Sequence, residues 1–234
     1  MGCTSSRSDI SYEEAALING DSRLYYFNHD ISTLYKEFKN ESKGRKISLS
    51  TFESLAKSIP LVYEGEEDII SFYQNLSKRS KLQLKHLVAL AAILSKGTIP
   101  SKIDSLIQTW GSNDSISRTQ FSELLDFIFE LSVDRLTLLK SKPTAENNYT
   151  DESMENFLER AKEGKERSKE KILNEIFFEE TVKKTVVTIW ALNENNQNWF
   201  NSRYIRSNLK KAGKKVLRRK RTQPSRTEEV TLNE

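Results

Sequence analysis

Two ten-residue stretches, Lys46-Ile47-Ser48-Leu49-Ser50-Thr51-Phe52-Glu53-Ser54-Leu55 and Ser115-Ile116-Ser117-Arg118-Thr119-Gln120-Phe121-Ser122-Glu123-Leu124, share Ile-Ser-x-x-x-Phe-x-x-Leu at an offset of 69. Each follows apolar residues at helical spacing, Ile31, Leu34, Tyr35 and Phe38 before the first and Ile103, Leu106, Ile107 and Trp110 before the second. Spacings of three and four put such residues on one face of a helix. The repeated unit therefore reads as helix, polar loop, one β-like Ile, a Ser able to cap, and a second helix. Helices striped on one side must bury that stripe against one another, so the expected fold is all-α, built of paired helix-loop-helix units.

Helical periodicity runs from Glu13 to Asn208, and no segment alternates like a strand. Helices are expected near 23–39, 50–58, 66–76, 83–96, 101–110 and 117–140, punctuated by Pro60, Pro100 and Pro143. After a loop from Ser141 to Tyr149, the cap and first-turn acids Thr150-Asp151-Glu152 open a charged helix to about Gly164. A more apolar helix should span 169–192, and a last one Trp199 to Lys215. The expected organisation is a flexible, lipidated N-terminus over 1–22, a helical domain over 23–140, and a charged linker with a second helical pair over 141–201. A basic amphipathic helix over 202–221 and a disordered tail over 222–234 follow.

Helix, loop, a single β-like Ile and a second helix resemble the EF-hand unit, whose Ile pairs with that of a partner loop in a two-stranded ladder. An offset near 70 is the distance between first members of two such pairs. The second member of pair one would be Phe72-Tyr73 to Leu76, the loop Ser77-Lys78-Arg79-Ser80-Lys81, then Leu82 and the helix Leu84 to Leu94. Asn193-Glu194-Asn195-Asn196-Gln197-Asn198 before Trp199-Phe200 would close pair two. An EF-hand holds Ca²⁺ through loop oxygens and a bidentate Glu at position 12, with Gly at position 6. Setting Ile47 at position 8 puts Arg45 at 6 and Thr51 at 12; setting Ile116 there puts position 1 on Thr109, inside the preceding helix. The Leu82 loop has His86 at position 12 and the Asn-rich loop has Tyr204. The expectation is a degenerate, metal-free set of loops with no cofactor. Together with the N-terminus described next, the architecture resembles the neuronal calcium sensor and calcineurin B-like families. The stretch Leu84 to Thr98 also resembles the pseudo-EF-hand region that precedes the TLD domain in myristoylated TLD-domain proteins, although a TLD domain is not evident in this sequence, which has no β-rich, Gly-containing stretch of suitable length after it.

Met1-Gly2-Cys3-Thr4-Ser5-Ser6 fits the N-myristoylation pattern, Gly2 offering the unhindered amine and Ser6 the hydroxyl four residues on. One myristoyl chain binds a membrane only marginally. Cys3, the chain's one cysteine, stands where S-palmitoylation would supply a second chain. One Cys and two His also exclude a disulfide framework and a Cys/His zinc site. The longest apolar run, Leu87 to Leu94, is half a bilayer span, and residues 1–20 lack the apolar segment of a signal peptide, so the expected location is the cytoplasmic face of a membrane.

Net charge is +4, but it is unevenly spread. Arg203, Arg206, Lys210, Lys211, Lys214, Lys215, Arg218, Arg219, Lys220 and Arg221 fall in a stretch without acids, which leaves residues 1–201 net acidic. Ile205, Leu209, Ala212 and Val216 fall on one helical face among these cations. The stretch could meet an anionic membrane surface, a calmodulin-type partner, or nucleic acid as part of a nuclear protein; beside the lipid motif the membrane is the favoured reading. Neither His29 nor His86 lies in a catalytic motif, and adjacent acids such as Glu66-Glu67 point about 100° apart on a helix. The expected function is therefore non-catalytic: a membrane-tethered adaptor whose paired units leave a groove for a partner protein's helix.

Overall fold

The computed structural model describes residues 10–61, 66–144 and 148–222, with side chains to Arg219. It is all-α, with two very small antiparallel sheets. Helix α1 (Tyr12–Ser22) starts at Ser11, whose hydroxyl accepts from the Glu14 amide. Tyr25 then takes a left-handed φ of 60° and ends the run. The helix expected over 23–39 is thus split into a 3₁₀ turn at Tyr26–Asn28 and α2 (Ile31–Glu41), which Asp30 caps by accepting from Ser32 N.

Four helix-strand-helix units follow. The first is α2, β1 (Lys46–Ser48) and α3 (Leu49–Ser58); the second is α4 (Glu67–Leu76), β2 (Lys81–Gln83) and α5 (Leu84–Leu94). The third is α6 (Ile99–Trp110), β3 (Ser115–Ser117) and α7 (Arg118–Glu130). After α8 (Asp151–Glu163) comes the fourth, α9 (Lys165–Ile176), β4 (Thr181–Lys183) and α10 (Lys184–Leu192), and the chain closes with α11 (Ser202–Thr222). Strand β1 pairs with β2, setting Ile47 opposite Leu82 as expected. The partner of β3 differs from expectation: Ile116 faces Val182 of β4, and the Asn-rich segment forms a turn leading into a 3₁₀ helix at Gln197–Phe200. The helix expected over 169–192 is correspondingly broken at Phe177. Burial of Phe177 against Phe121 (ring centroids 5.6 Å apart) and the Ile116–Val182 pair outweigh the helical period that runs through the break.

In both pairs the ladder continues by the same exchange. Leu49 N donates to Ser80 O and Leu84 N to Arg45 O in one; Arg118 N donates to Glu180 O and Lys184 N to Asp114 O in the other.

Helix α5 is the centre of the molecule. Leu87 through Ile93 are all at most 1 % exposed, which explains why this is the longest apolar run in the sequence: a helix apolar all round needs neighbours on every side. One core extends from Leu24 to Leu209. A smaller cluster joins Ala16 and Leu17 of α1 to Tyr149, Met154 and Phe157. Two expectations change here. Residues 12–22, placed in a flexible N-terminus, form a docked helix, because Ala16, Leu17 and Gly20 make a buried stripe. The charged segment from Asp151, read as a linker, is packed through Met154, Phe157 and Ala161.

His86 stacks on Phe127 at 4.1 Å between ring centroids. Burial, with Lys85 and Arg135 nearby, pushes its pKa down to about 4. The folded state therefore binds this proton less readily than the unfolded chain, so His86 favours folding above about pH 6.5 and that contribution is lost as pH falls towards 4. With His86 half-buried, the expected loss is about 2 kcal/mol. Urea melts of the wild type and His86→Leu at about pH 7 and about pH 4.5 should show the variant losing that much less on acidification.

Candidate functional site

Helix α11 is a 21-residue basic helix with exposed cations from Lys211 to Arg219 and a deeply buried start. Arg206 is fully buried; its Nε donates to Glu14 Oε1 at 3.2 Å and its Nη2 to Asp21 Oδ2 at 2.9 Å. Ser202 Oγ donates to the same Asp21 oxygen at 2.6 Å. Burial raises the Glu14 carboxyl above its ordinary range despite Arg206 beside it. The guanidinium keeps its charge, because Asp21 and Glu14 outweigh the burial that would lower it. Farther along, Lys210 lies 4.2 Å over the Phe157 ring, and Glu13 and Glu14 feel its charge. Asp21, at the end of α1, thus meets Ser202 at the start of α11, and Glu13 near the start of α1 faces Lys210 two turns on. The two helices are antiparallel, and the chain enters α1 at the end where the exposed cations of α11 begin.

The basic residues divide accordingly. Lys211, Lys214, Lys215, Arg218 and Arg219 are exposed, while Arg203 is half-buried and set over the Tyr204 ring. Lys210 is half-buried, and burial lowers its pKa. Arg206 is corrected from a surface cation to the centre of a buried ion-pair network, since two carboxylates await it on α1. The side chains of Lys220 and Arg221 lie outside the described residues, as do Gly2 and Cys3. The apolar stripe of this helix faces the protein: Ile205 and Leu209 are fully buried, and Ala212 and Val216 partly so. A calmodulin-type target would have to release those anchors.

The other uncovered surface belongs to α10. Only Val187 and Ala191 of this apolar helix are buried. Ile189 is 72 % exposed and Leu192 55 %, and Phe178 in the loop before β4 is 88 % exposed. A groove of about 600 Å³ runs between α2, α6 and α10, with Tyr35, Pro100 and Ile189 on its walls. Its polar edge is the pair Lys184–Asp104, 2.5 Å apart. The sequence reading missed this face because it assigned Val186 to Trp190 to the interior of one long helix.

Three of the four loops share a turn that the expected register did not anticipate. In Lys43-Gly44-Arg45-Lys46, Lys78-Arg79-Ser80-Lys81 and Ser112-Asn113-Asp114-Ser115 both central residues have φ between 49° and 60°. The flanking residues exchange both backbone hydrogen bonds, for example Lys43 N to Lys46 O at 2.8 Å and Lys46 N to Lys43 O at 3.2 Å. These are type I′ hairpin turns, whose backbone twist suits the strands they join. The carbonyls at each turn's neck are taken by the turn's own amides. Among the described residues no three His, Cys, Asp or Glu side chains gather where a metal could be held, and no helix is long and apolar enough to cross a membrane. Comparison of the chain with protein-family models, curated proteins and solved structures finds no match.

Proposed function

We propose that this chain is a membrane-tethered, non-catalytic adaptor built on degenerate, metal-free EF-hand-like units. The observation that carries the reading is the antiparallel docking of α1 on α11 through Glu14, Asp21, Ser202 and Arg206. Gly2 and Cys3 precede an α1 whose start lies beside Lys210, so acyl chains there and the cations from Lys211 to Arg219 would address the same membrane together. A single myristoyl chain is marginal, and each cation near an anionic leaflet adds about 1 kcal/mol, so the two signals complement each other. The protein partner is read as an amphipathic helix lying against Ile189, Leu192 and the groove beside α2 and α6.

Liposome flotation tests the tether. Acylated protein should float with phosphatidylserine vesicles, and Gly2→Ala should lower the bound fraction more than about ten-fold. Unacylated protein should retain weak binding that vanishes in high salt. Equal binding to neutral vesicles would refute the electrostatic half of the reading. In cells, Gly2→Ala should move the protein from membrane to cytosol; a nuclear location for both forms would favour the nucleic-acid reading.

A further inference from the structure

We infer a second, separate site: the twin turns of the first pair form a receptor for a small polyphosphate anion. Because β1 and β2 are antiparallel and turn Ile47 and Leu82 inward, period-two alternation puts Lys46, Ser48, Lys81 and Gln83 on the outer face. Two hollows open there. One, of about 660 Å³, is lined by Lys46, Lys78, Arg79, Lys81 and Gln83. The other, of about 340 Å³, is lined by Glu41, Lys43, Lys46, Ser48, Thr51 and Lys81. Lys46 and Lys81 belong to both, so the hollows adjoin across a shared wall of two ammonium groups.

Five cations and one carboxylate line this face, and all five cations are exposed with no ion-pair partner among the described residues. The other pair provides an internal comparison. Its turn Ser112-Asn113-Asp114-Ser115 has the same backbone yet carries no cation, and Lys184, which begins the helix after β4, is neutralised within the chain by Asp104 at 2.5 Å and Asp114 at 3.3 Å. The turn therefore does not require clustered cations, and in the first pair they leave charge for something outside the chain. Five donors around two adjoining hollows suit several phosphate groups on one compact scaffold better than a lone phosphate. Neither hollow has an aromatic wall on which a nucleobase could stack. The same chemistry is available from a free inositol polyphosphate or from the headgroup of a polyphosphorylated inositol lipid.

The test uses full-length, unacylated protein, so that it stands apart from the tether. Calorimetry with inositol hexakisphosphate should show salt-dependent binding, about ten-fold weaker in Lys46→Gln/Lys81→Gln and changed less than about two-fold in Lys214→Gln/Lys215→Gln. All four residues are exposed, and unchanged thermal melts would show that the fold is kept. A parallel arm compares vesicles bearing a bisphosphorylated inositol lipid with phosphatidylserine vesicles of equal charge. Vesicle binding that depends on Lys46 and Lys81 identifies a lipid headgroup as the source; dependence confined to the free ligand identifies a soluble polyphosphate. No binding in either arm, or equal losses of hexakisphosphate affinity in the two double variants, would overturn the site.

Discussion

Arg206→Met is expected to destabilise the fold by about 3–5 kcal/mol, the range for removing one member of a buried ion-pair network. The methionine fills much of the volume, so packing is nearly kept; what is lost is the counter-charge for Glu14 and Asp21, whose side chains are only 9 % and 10 % exposed. Asp21 keeps the Ser202 hydroxyl, whereas Glu14 loses the guanidinium that opposed the effect of burial on its carboxyl. This gives the variant a pH signature. An acid whose folded pKa is raised is more readily protonated folded than unfolded, so stability falls as pH rises through that folded value. The deficit of Arg206→Met should therefore be smaller near pH 5 than near pH 7, and adding Glu14→Gln should recover about 1–2 kcal/mol at neutral pH. Urea melts at the two pH values decide it. A deficit below about 1 kcal/mol, or one that grows on acidification, would mean that the network does not hold α1 to α11.

This network marks where sequence reading reaches its limit. Glu14 and Asp21 are seven residues apart, two turns of one face of α1, but nothing local says that their partner lies in a basic run some 190 residues on. Arg206 differs from Arg203 and Lys210 only in standing between Ile205 and Leu209, and a buried stripe with one cation inside it reads the same as a solvated amphipathic face. By contrast, pairing of Ile47 with Leu82 was legible, because each follows a polar loop and precedes a helix with apolar residues at helical spacing. Strand β4 was not: Thr181-Val182-Lys183 has no glycine or proline beside it, and Ile172, Ile176 and Val186 keep a helical rhythm across the break. The type I′ turns did leave a signal. Ser42-Lys43-Gly44-Arg45-Lys46 and Ser77-Lys78-Arg79-Ser80-Lys81 share Ser-Lys-x-x-Lys at an offset of 35, close to half the offset of 69 in the longer repeat. The cations of α11 are plain in the sequence, but the burial of its apolar stripe depended on α8, which the charged composition of 151–163 disguised as a linker.

Gly213→Val is expected to be at least as damaging as loss of Arg206. A glycine inside a helix costs about 1 kcal/mol relative to alanine, so its presence midway along α11 calls for a packing reason. That reason is the crossing with α8. A Cβ at Gly213 would fall well inside contact distance of the Arg160 carbonyl oxygen, and one at Gly164 would do the same to the Leu209 carbonyl oxygen. The obstacles are backbone atoms on both sides, so no side-chain rotation relieves the overlap and the helices must separate. Separation would uncover Ala161 and Leu209, both fully buried, and would slacken the contact of Lys210 with Phe157. The expected loss is about 4 kcal/mol, above the usual ~1–3 kcal/mol for overpacking because the obstacles are backbone atoms, or about 10 °C in melting temperature for a chain of this size. Gly213→Ala should give a smaller loss in the same direction, although alanine raises helix propensity. Because Arg206 is two turns away, its ion pairs should survive in Gly213→Val, and trypsin should cut first at Lys214 and Lys215 while α1 stays docked. Melting temperatures and the order of tryptic cleavage measure both consequences. If Gly213→Ala stabilised the protein by the propensity gain alone, α8 and α11 would not cross at this glycine.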